Sequence, residues 1–374
     1  MAVVGAGPAG SAAALYLARQ GRSVAVFDKQ DFPRDKPCGE GLMPSGIAVL
    51  RELGVLPGLL SCGAPWIRGV AFSALSAGEA ASEFPMGPGL GVRRTVMDCL
   101  FAEQLKTHPR VHCNYGCAAI DIRIQPLELM TANGGVRARC AIVADGLRSP
   151  LRKALGWQRR SAKPHRYGLV GHIRTQDSPE PWIHVAILDG HEVFSAPSGP
   201  SEQLMTVLGS KDILQGSSLD ACYRRVVGPD VELSAPLMAT GPFNVFPTKV
   251  AGDGVFLLGD AAGFLDPVTG QGLELALRSA RLLAHILGCM LDGEIDQDRA
   301  GLAYAAQHRR LWRHRHALTR VVLWLMASPR RTQRAIRSLN RRQQLLTTLL
   351  GINCGYWGFG RLRPVDWLAL LTGR

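Results

Sequence analysis

The feature that most constrains this 374-residue chain is Gly5-Ala6-Gly7-Pro8-Ala9-Gly10, which follows the apolar run Ala2-Val3-Val4 and opens an alanine-rich stretch, residues 11–19. An apolar triplet, a glycine turn and a run of helix formers predict a strand, a turn and a helix. In such a unit Gly5 makes the turn, Gly7 lets a pyrophosphate approach the backbone, and Gly10 lets the helix pack on the strand. The helix start at Pro8 and Ala9 then offers free N–H groups and a positive dipole end to phosphate. Glycine-rich turns without ligands are common, so the next residues decide. Gly21 stops the helix, residues 23–27 read as a second strand, and Asp28-Lys29 close it. An acid about 20 residues past the loop, at the tip of the second strand, is where a ribose hydroxyl is held. An exposed Asp after an ordinary βαβ unit reads the same way from sequence.

The composition, 47% hydrophobic and 20% charged, is that of a globular protein with room for two or three cores. There is no run of about 20 apolar residues and no charged segment ahead of the first strand, so neither a membrane span nor a signal peptide is expected. A cytoplasmic location follows as the expectation. The first strand starts so close to Met1 that a few natural residues ahead of it are expected to be missing. The nine cysteines, at 38, 62, 99, 113, 117, 140, 222, 289 and 354, include no CxxC pair and no His at zinc-ligand spacing. No metal site and no disulfide framework are expected. The net charge of +13 is uneven, with arginine crowded into residues 309–342. Such a face suits an anionic surface or is simply solvated. No nucleic-acid fold motif accompanies it, so nucleic acid is not an expected partner.

Along the chain, residues 32–44 carry too many Pro and Gly for a helix or strand and read as a loop. A short helix at 45–53 ends at Gly54, and residues 66–72 and 81–84 read as strands before the turn cluster 87–91. Arg93-Arg94-Thr95 precede a helix at 96–105; strands follow at 115–122, 127–131 and 136–143, the last two joined through Asn133-Gly134-Gly135. Asp145-Gly146 follows that strand. Residues 167–208 show short strands between Pro, Gly and Ser clusters, the pattern of an antiparallel second sheet. A buried-type strand at 254–258 leads into Gly259-Asp260, then Pro267 and Gly270-Gln271-Gly272, and a long helix spans 273–291. From about 298 the pattern is helical, basic and rich in Leu and Trp.

Four pieces in this order, the glycine loop, Arg94, Asp145-Gly146 and residues 259–272, resemble the FAD-binding pattern of the group A flavoprotein monooxygenases and their relatives, the geranylgeranyl reductases and flavin-dependent halogenases. The resemblance spans nearly the whole chain. It implies an α/β fold, with a discontinuous Rossmann-like FAD-binding domain at 1–60, 91–160 and 245–292. An inserted antiparallel substrate sheet would occupy 61–90 and 161–244, and a helical region 293–374. It also implies that Asp28, beside Lys29, holds the adenosine ribose and that Arg94 contacts the cofactor, Arg93 being the alternative. Asp145-Gly146 would brace the pyrophosphate and Gly259-Asp260 the ribityl chain, while Pro267, Gly270, Gly272 and Leu273 open a helix toward the flavin pyrimidine edge. The segment Lys36-Pro37-Cys38-Gly39-Glu40-Gly41 most resembles the Cys-Gly loop of the geranylgeranyl-reductase-like branch, which places Cys38 and Gly39 near the ring. Cys38 is then a candidate catalytic thiol or a packed structural one.

Halogenases carry a Trp-x-Trp-x-Ile-Pro block and prenyl reductases a Tyr-x-Trp-x-Phe-Pro block; this chain has Glu192-Val193-Phe194-Ser195-Ala196-Pro197 at the comparable place. The resemblance therefore points first to an NAD(P)H-using monooxygenase acting on a hydrophobic aromatic or polyketide-like metabolite. An ene-reductase of an isoprenoid, and a membrane-docked flavin carrier, are the alternatives. His172 and His184 sit on strand-like segments and could act as base or as structural histidines, so no base is assigned. Residues 311–326, with later Trp357 and Trp367, set Arg beside Trp and Leu, a pattern that fits peripheral membrane contact or a core-covering stripe.

Overall fold

The computed structural model describes residues 1–74, 77–159 and 165–373. The expected boundary at 160/161 between cofactor domain and sheet domain lies outside the described residues. The apolar triplet Ala2–Val4 forms the central strand of a six-stranded sheet, in the order Ala251–Gly252, Val255–Leu257, Ala141–Val143, Ala2–Val4, Val24–Phe27, Val111–Asn114. The pairs are parallel except at the Ala251–Gly252 edge. Buried on both faces, these strands are short apolar runs rather than alternating ones.

Seven helices matter below: α1 (Pro8–Arg19), α2 (Arg94–Thr107), α3 (Gly272–Leu291), α4 (Gln297–Met326), α5 (Pro329–Arg341), α6 (Gln343–Asn353) and α7 (Pro364–Thr372). Ala12, Leu15, Phe101, Leu277 and Leu283 from α1, α2 and α3 fill one face of the parallel sheet. The opposite face is covered by a small three-stranded sheet, Ala119–Ile124, Leu127–Thr131 and Gly134–Arg137, through Ile122 and Leu129.

The second large sheet has seven strands, ordered Met238–Thr240, Tyr167–Arg174, Glu202–Gly209, His191–Gly199, Trp182–Ile187, Gly69–Ala74, Gly78–Glu83. It is antiparallel except where Trp182–Ile187 runs parallel to Gly69–Ala74. One face packs on Tyr223 and Cys222; the other looks toward α4, α5 and α6.

Several boundaries differ from the sequence reading. Residues 136–143 are two strands in two sheets, Gly134–Arg137 and Ala141–Val143, because the chain crosses from the satellite sheet to the central one at 138–140. The hairpin before them turns at Ala132-Asn133, since Thr131 pairs with Gly134. The strand expected at 115–122 begins only at Ala119, after a turn with Gly116 at φ +66. Residues 66–72 likewise divide between Trp66–Ile67 and Gly69–Ala74. Each division serves two cores at once, which local periodicity does not register.

Candidate active site

The three glycines of the loop have different tasks. A Cβ on Gly5 would lie 2.3 Å from Ala144 O, and one on Gly10 would lie 1.8 Å from Gly5 O. These two permit contact between strand and helix. A Cβ on Gly7 would meet only guanidinium nitrogens, Arg34 at 3.7 Å and Arg94 at 3.9 Å. Gly7 therefore floors an open cradle at the N-terminus of α1, beneath two cations, which is the environment a pyrophosphate requires. Asp28 locks the loop: its Oδ2 accepts from Ala6 N–H (2.8 Å) and from Arg34 Nη2 (3.2 Å), and its Oδ1 accepts from Gln30 N–H (3.0 Å). Lys29 is exposed and outside the cavity wall.

Arg94 is buried and holds Asp98 in a bidentate pair, Nε to Oδ1 3.0 Å and Nη2 to Oδ2 2.8 Å. Burial works against its charge, but Asp98 outweighs it and raises the guanidinium pKa. Across the cavity Gly146 and Asp260 form the wall with Gly7, Lys36, Cys38 and Gly39. Lys36 is packed here, burial lowering its ammonium pKa against the pull of Asp260. The Asp145 carboxylate is turned away, accepting from Leu151 N–H (3.3 Å) at the start of the short helix Pro150–Ala154. Burial raises its pKa, and its Oδ1 has no partner among the described residues.

The pyrimidine end is shaped by the turn Pro267–Thr269 and by Gly270 at φ +64, ahead of α3. Asp266 caps the turn through Val268 N–H (3.0 Å) and pairs with Arg166 (3.0 Å), which also holds Glu192 of the substrate sheet. Asn353, from α6, donates to Thr269 O (2.9 Å) and is bonded by Gln271. Cradle, cations and turn together fit a flavin dinucleotide. Its adenosine end would lie at Gly7 and its ring near Cys38, Met43 and Gly270.

The same cavity, about 320 Å³ from the cradle inward, continues past that ring position into the molecule. Its inner walls are mostly aliphatic or aromatic, among them Phe72, Val185, Phe194 and Leu204 of the large sheet and Val322, Ile336 and Leu350 of the helices, with Thr206 and Thr332 between them. Cys38 stands where the two halves meet. Burial raises its thiol pKa, Arg94 pulling the other way, so the neutral thiol is favoured. Sequence reasoning missed Arg34, Lys36, Glu40 and Asn353. The first three lie in the loop already singled out, but their targets are fixed only by folding, and Asn353 arrives from a helix 80 residues beyond Leu273. His172 is wholly buried against Glu40, while His184 is half-buried beside Glu180 and outside the cavity wall. Among the described residues no cluster of His, Cys, Asp and Glu could hold a metal.

An NAD(P)-binding Rossmann-like domain model matches residues 3–34 and an FAD binding domain model matches residues 244–318. The chain is 32% identical over 329 residues to the menaquinone reductase of Mycobacterium tuberculosis, covering 76% of this chain and 75% of that one. It is 26% identical to the squalene monooxygenase of Rattus norvegicus, over 76% of this chain and 54% of that one. A solved flavoprotein/dehydrogenase from Cytophaga hutchinsonii superposes with a TM-score of 0.80 at 20% identity, covering 95% of this chain and 92% of that one.

Proposed function

We propose that this chain, which belongs to the FAD-dependent oxidoreductases and is an enzyme of that superfamily, reduces a carbon–carbon double bond in a long-chain isoprenoid lipid, with NAD(P)H as electron source. The observation that carries this reading is the aliphatic cavity that ends at a neutral thiol beside the flavin position. FAD, when bound, supplies hydride chemistry. The chain's own residues do the rest. The cavity walls exclude water and align the lipid. The Cys38 Sγ–H supplies the proton, so that one hydride and one proton saturate the double bond; Arg94 stabilises the thiolate left behind until it takes a proton from solvent. The similarity to menaquinone reductase supports a substrate of this class.

Anaerobic turnover of a polyprenyl quinone with FAD-loaded protein and NADPH tests it. A product that stays heavier by two hydrogens after reoxidation to the quinone is the expected result; a lipid that returns to its starting mass on reoxidation, at full flavin reduction, would sink the reading. Oxygenation of a hydrophobic metabolite is the second reading, favoured by the similarity to squalene monooxygenase. It requires incorporation of one labelled oxygen atom from dioxygen, which the reduction excludes.

The same reading calls for a lipid surface. Arg330, Arg334, Arg337 and Arg341 lie on the outer side of α5, whose inner side, Ala335, Ile336 and Leu339, walls the cavity. Trp324, stacked by Arg331 at 4.1 Å, and Leu368 and Leu371 of α7 are exposed nearby. No helix of the described residues is long and apolar enough to cross a membrane. Peripheral contact with an anionic bilayer accounts for both the cations and the exposed apolar groups.

A further inference from the structure

Glu40 takes no part in the proton transfer above, yet it is buried, 2% exposed, in the wall of the same cavity. Its backbone has φ +52, a left-handed conformation that costs a side-chain-bearing residue energy and persists only where the surroundings impose it. Three donors from two other elements converge on its carboxylate. Oε1 accepts from Arg94 N–H (2.8 Å) and from Arg93 Nη1 (3.2 Å); Oε2 lies 3.0 Å from Nε2 of His172 on the strand Tyr167–Arg174. His172 Nδ1 is buried without a partner among the described residues, so Glu40 is the contact that holds this ring. Arg93 extends the link, pairing also with Asp35 (2.9 Å) and with Glu202 (3.1 Å) on the neighbouring strand Glu202–Gly209. The Glu40 backbone N–H donates to Cys38 Sγ at 3.4 Å, and its carbonyl accepts from Val92 N–H at 2.8 Å.

We propose that Glu40 is the positioning residue for the cavity thiol. Its carboxylate ties the flavin-facing loop to α2 and to the substrate sheet at a single point, and its strained backbone sets the N–H that fixes Cys38 Sγ. The cysteine is thereby registered against cofactor and substrate together. This rests on Cys38 facing the flavin, not on which reaction follows.

The test is the rate of Cys38 alkylation by iodoacetamide, read by peptide mass spectrometry in FAD-loaded and FAD-free protein, with the flavin midpoint potential measured in parallel. E40A is expected to raise the rate about tenfold, the factor that loss of one buried charge-assisted hydrogen bond carries, and to shift the potential. E40Q keeps the Arg94 and Arg93 contacts and, with His172 in its other tautomer, restores most of the protection. The decisive variant is E40G. Glycine relieves the φ strain, so a residue needed only for the turn would leave E40G like the wild type, whereas a carboxylate anchor makes it behave as E40A does. A wild-type alkylation rate and potential in E40G overturn the proposal. Should E40A not fold, H172A reads the same link from the sheet side, and H172Q, which keeps a donor, should rescue it. Failure of the wild type to saturate any isoprenoid would remove the proposed reaction and leave the alkylation result intact.

Discussion

Gly7 is the glycine whose missing side chain serves the ligand rather than the fold, and the difference can be measured. Gly7→Val places its branches in the cradle beneath Arg34 and Arg94, touching nothing rigid. FAD affinity should fall at least about a hundredfold, by equilibrium titration of flavin fluorescence, while the melting temperature stays near the wild-type value. Gly10→Val, driven against Gly5 O, should instead lower the melting temperature sharply. Cys38→Ser should slow substrate saturation by about a hundredfold or more while leaving the rate of flavin reduction by NADPH unchanged in stopped flow; equal slowing of both would deny the thiol its role. Gly7, Arg94, Asp260 and Cys38, which the loop spacing and the family resemblance single out in the sequence, line one cavity. Asp145 was legible as a site but not in its direction, because the strand end that brings it there also opens a helix whose first N–H groups claim the carboxylate.

Among the elements, α4 carries a file of rings, Tyr304, His308, Trp312 and His316, four residues apart and 4.7–5.5 Å centroid to centroid. Burial pushes His308 and His316 down to about 4. Both are protonated near 6.5 when unfolded, so the unfolded chain binds more protons as pH falls from 6.5 toward 4 and the fold loses stability there. Asp266, pushed up to about 6 by burial, acts in the opposite sense, gaining stability as pH falls from about 6 toward 4. Two histidines against one carboxyl leave a net loss on the order of 2–3 kcal/mol between pH 7 and 5. Denaturant titrations should show the slope, and His308→Gln with His316→Gln should flatten it. Further along, α5 exposes its arginines, so changing Arg330, Arg334 and Arg337 together to Glu should abolish flotation with phosphatidylglycerol vesicles and leave turnover of a detergent-dispersed lipid intact. Retained flotation would place the contact elsewhere. The helical character of this region was readable from periodicity. Its division into four helices follows the prolines at 329 and 364 and the break at Arg342, and the inward turn of one face depends on a sheet whose strands lie between residues 69 and 240.

For the whole molecule, the inner end of the cavity draws on distant stretches, among them the loop at 36–43, the large sheet and helices after 318. This is why the cofactor end could be read from motifs and the substrate end could not. A dinucleotide imposes spaced glycines and charges on any chain that binds it, whereas an aliphatic wall asks only for volume and is indistinguishable from core in a sequence. The apolar wall leads to a prediction: among prenyl substrates of one to four isoprene units, KM should fall about tenfold per added unit until the cavity is filled and then level off, with kcat little changed. A flat KM series would mean that the far wall does not touch the chain.

The helical side of the inner wall, from Leu318 to Leu350, lies on one unbroken piece of sequence that follows the buried pair Arg315–Glu274 to the cofactor domain. Phosphate cradle, thiol and anchor all lie outside it. Such an arrangement lets the helical half of the substrate wall drift by changes within roughly thirty consecutive residues, or be exchanged wholesale by recombination, without disturbing the cofactor cradle.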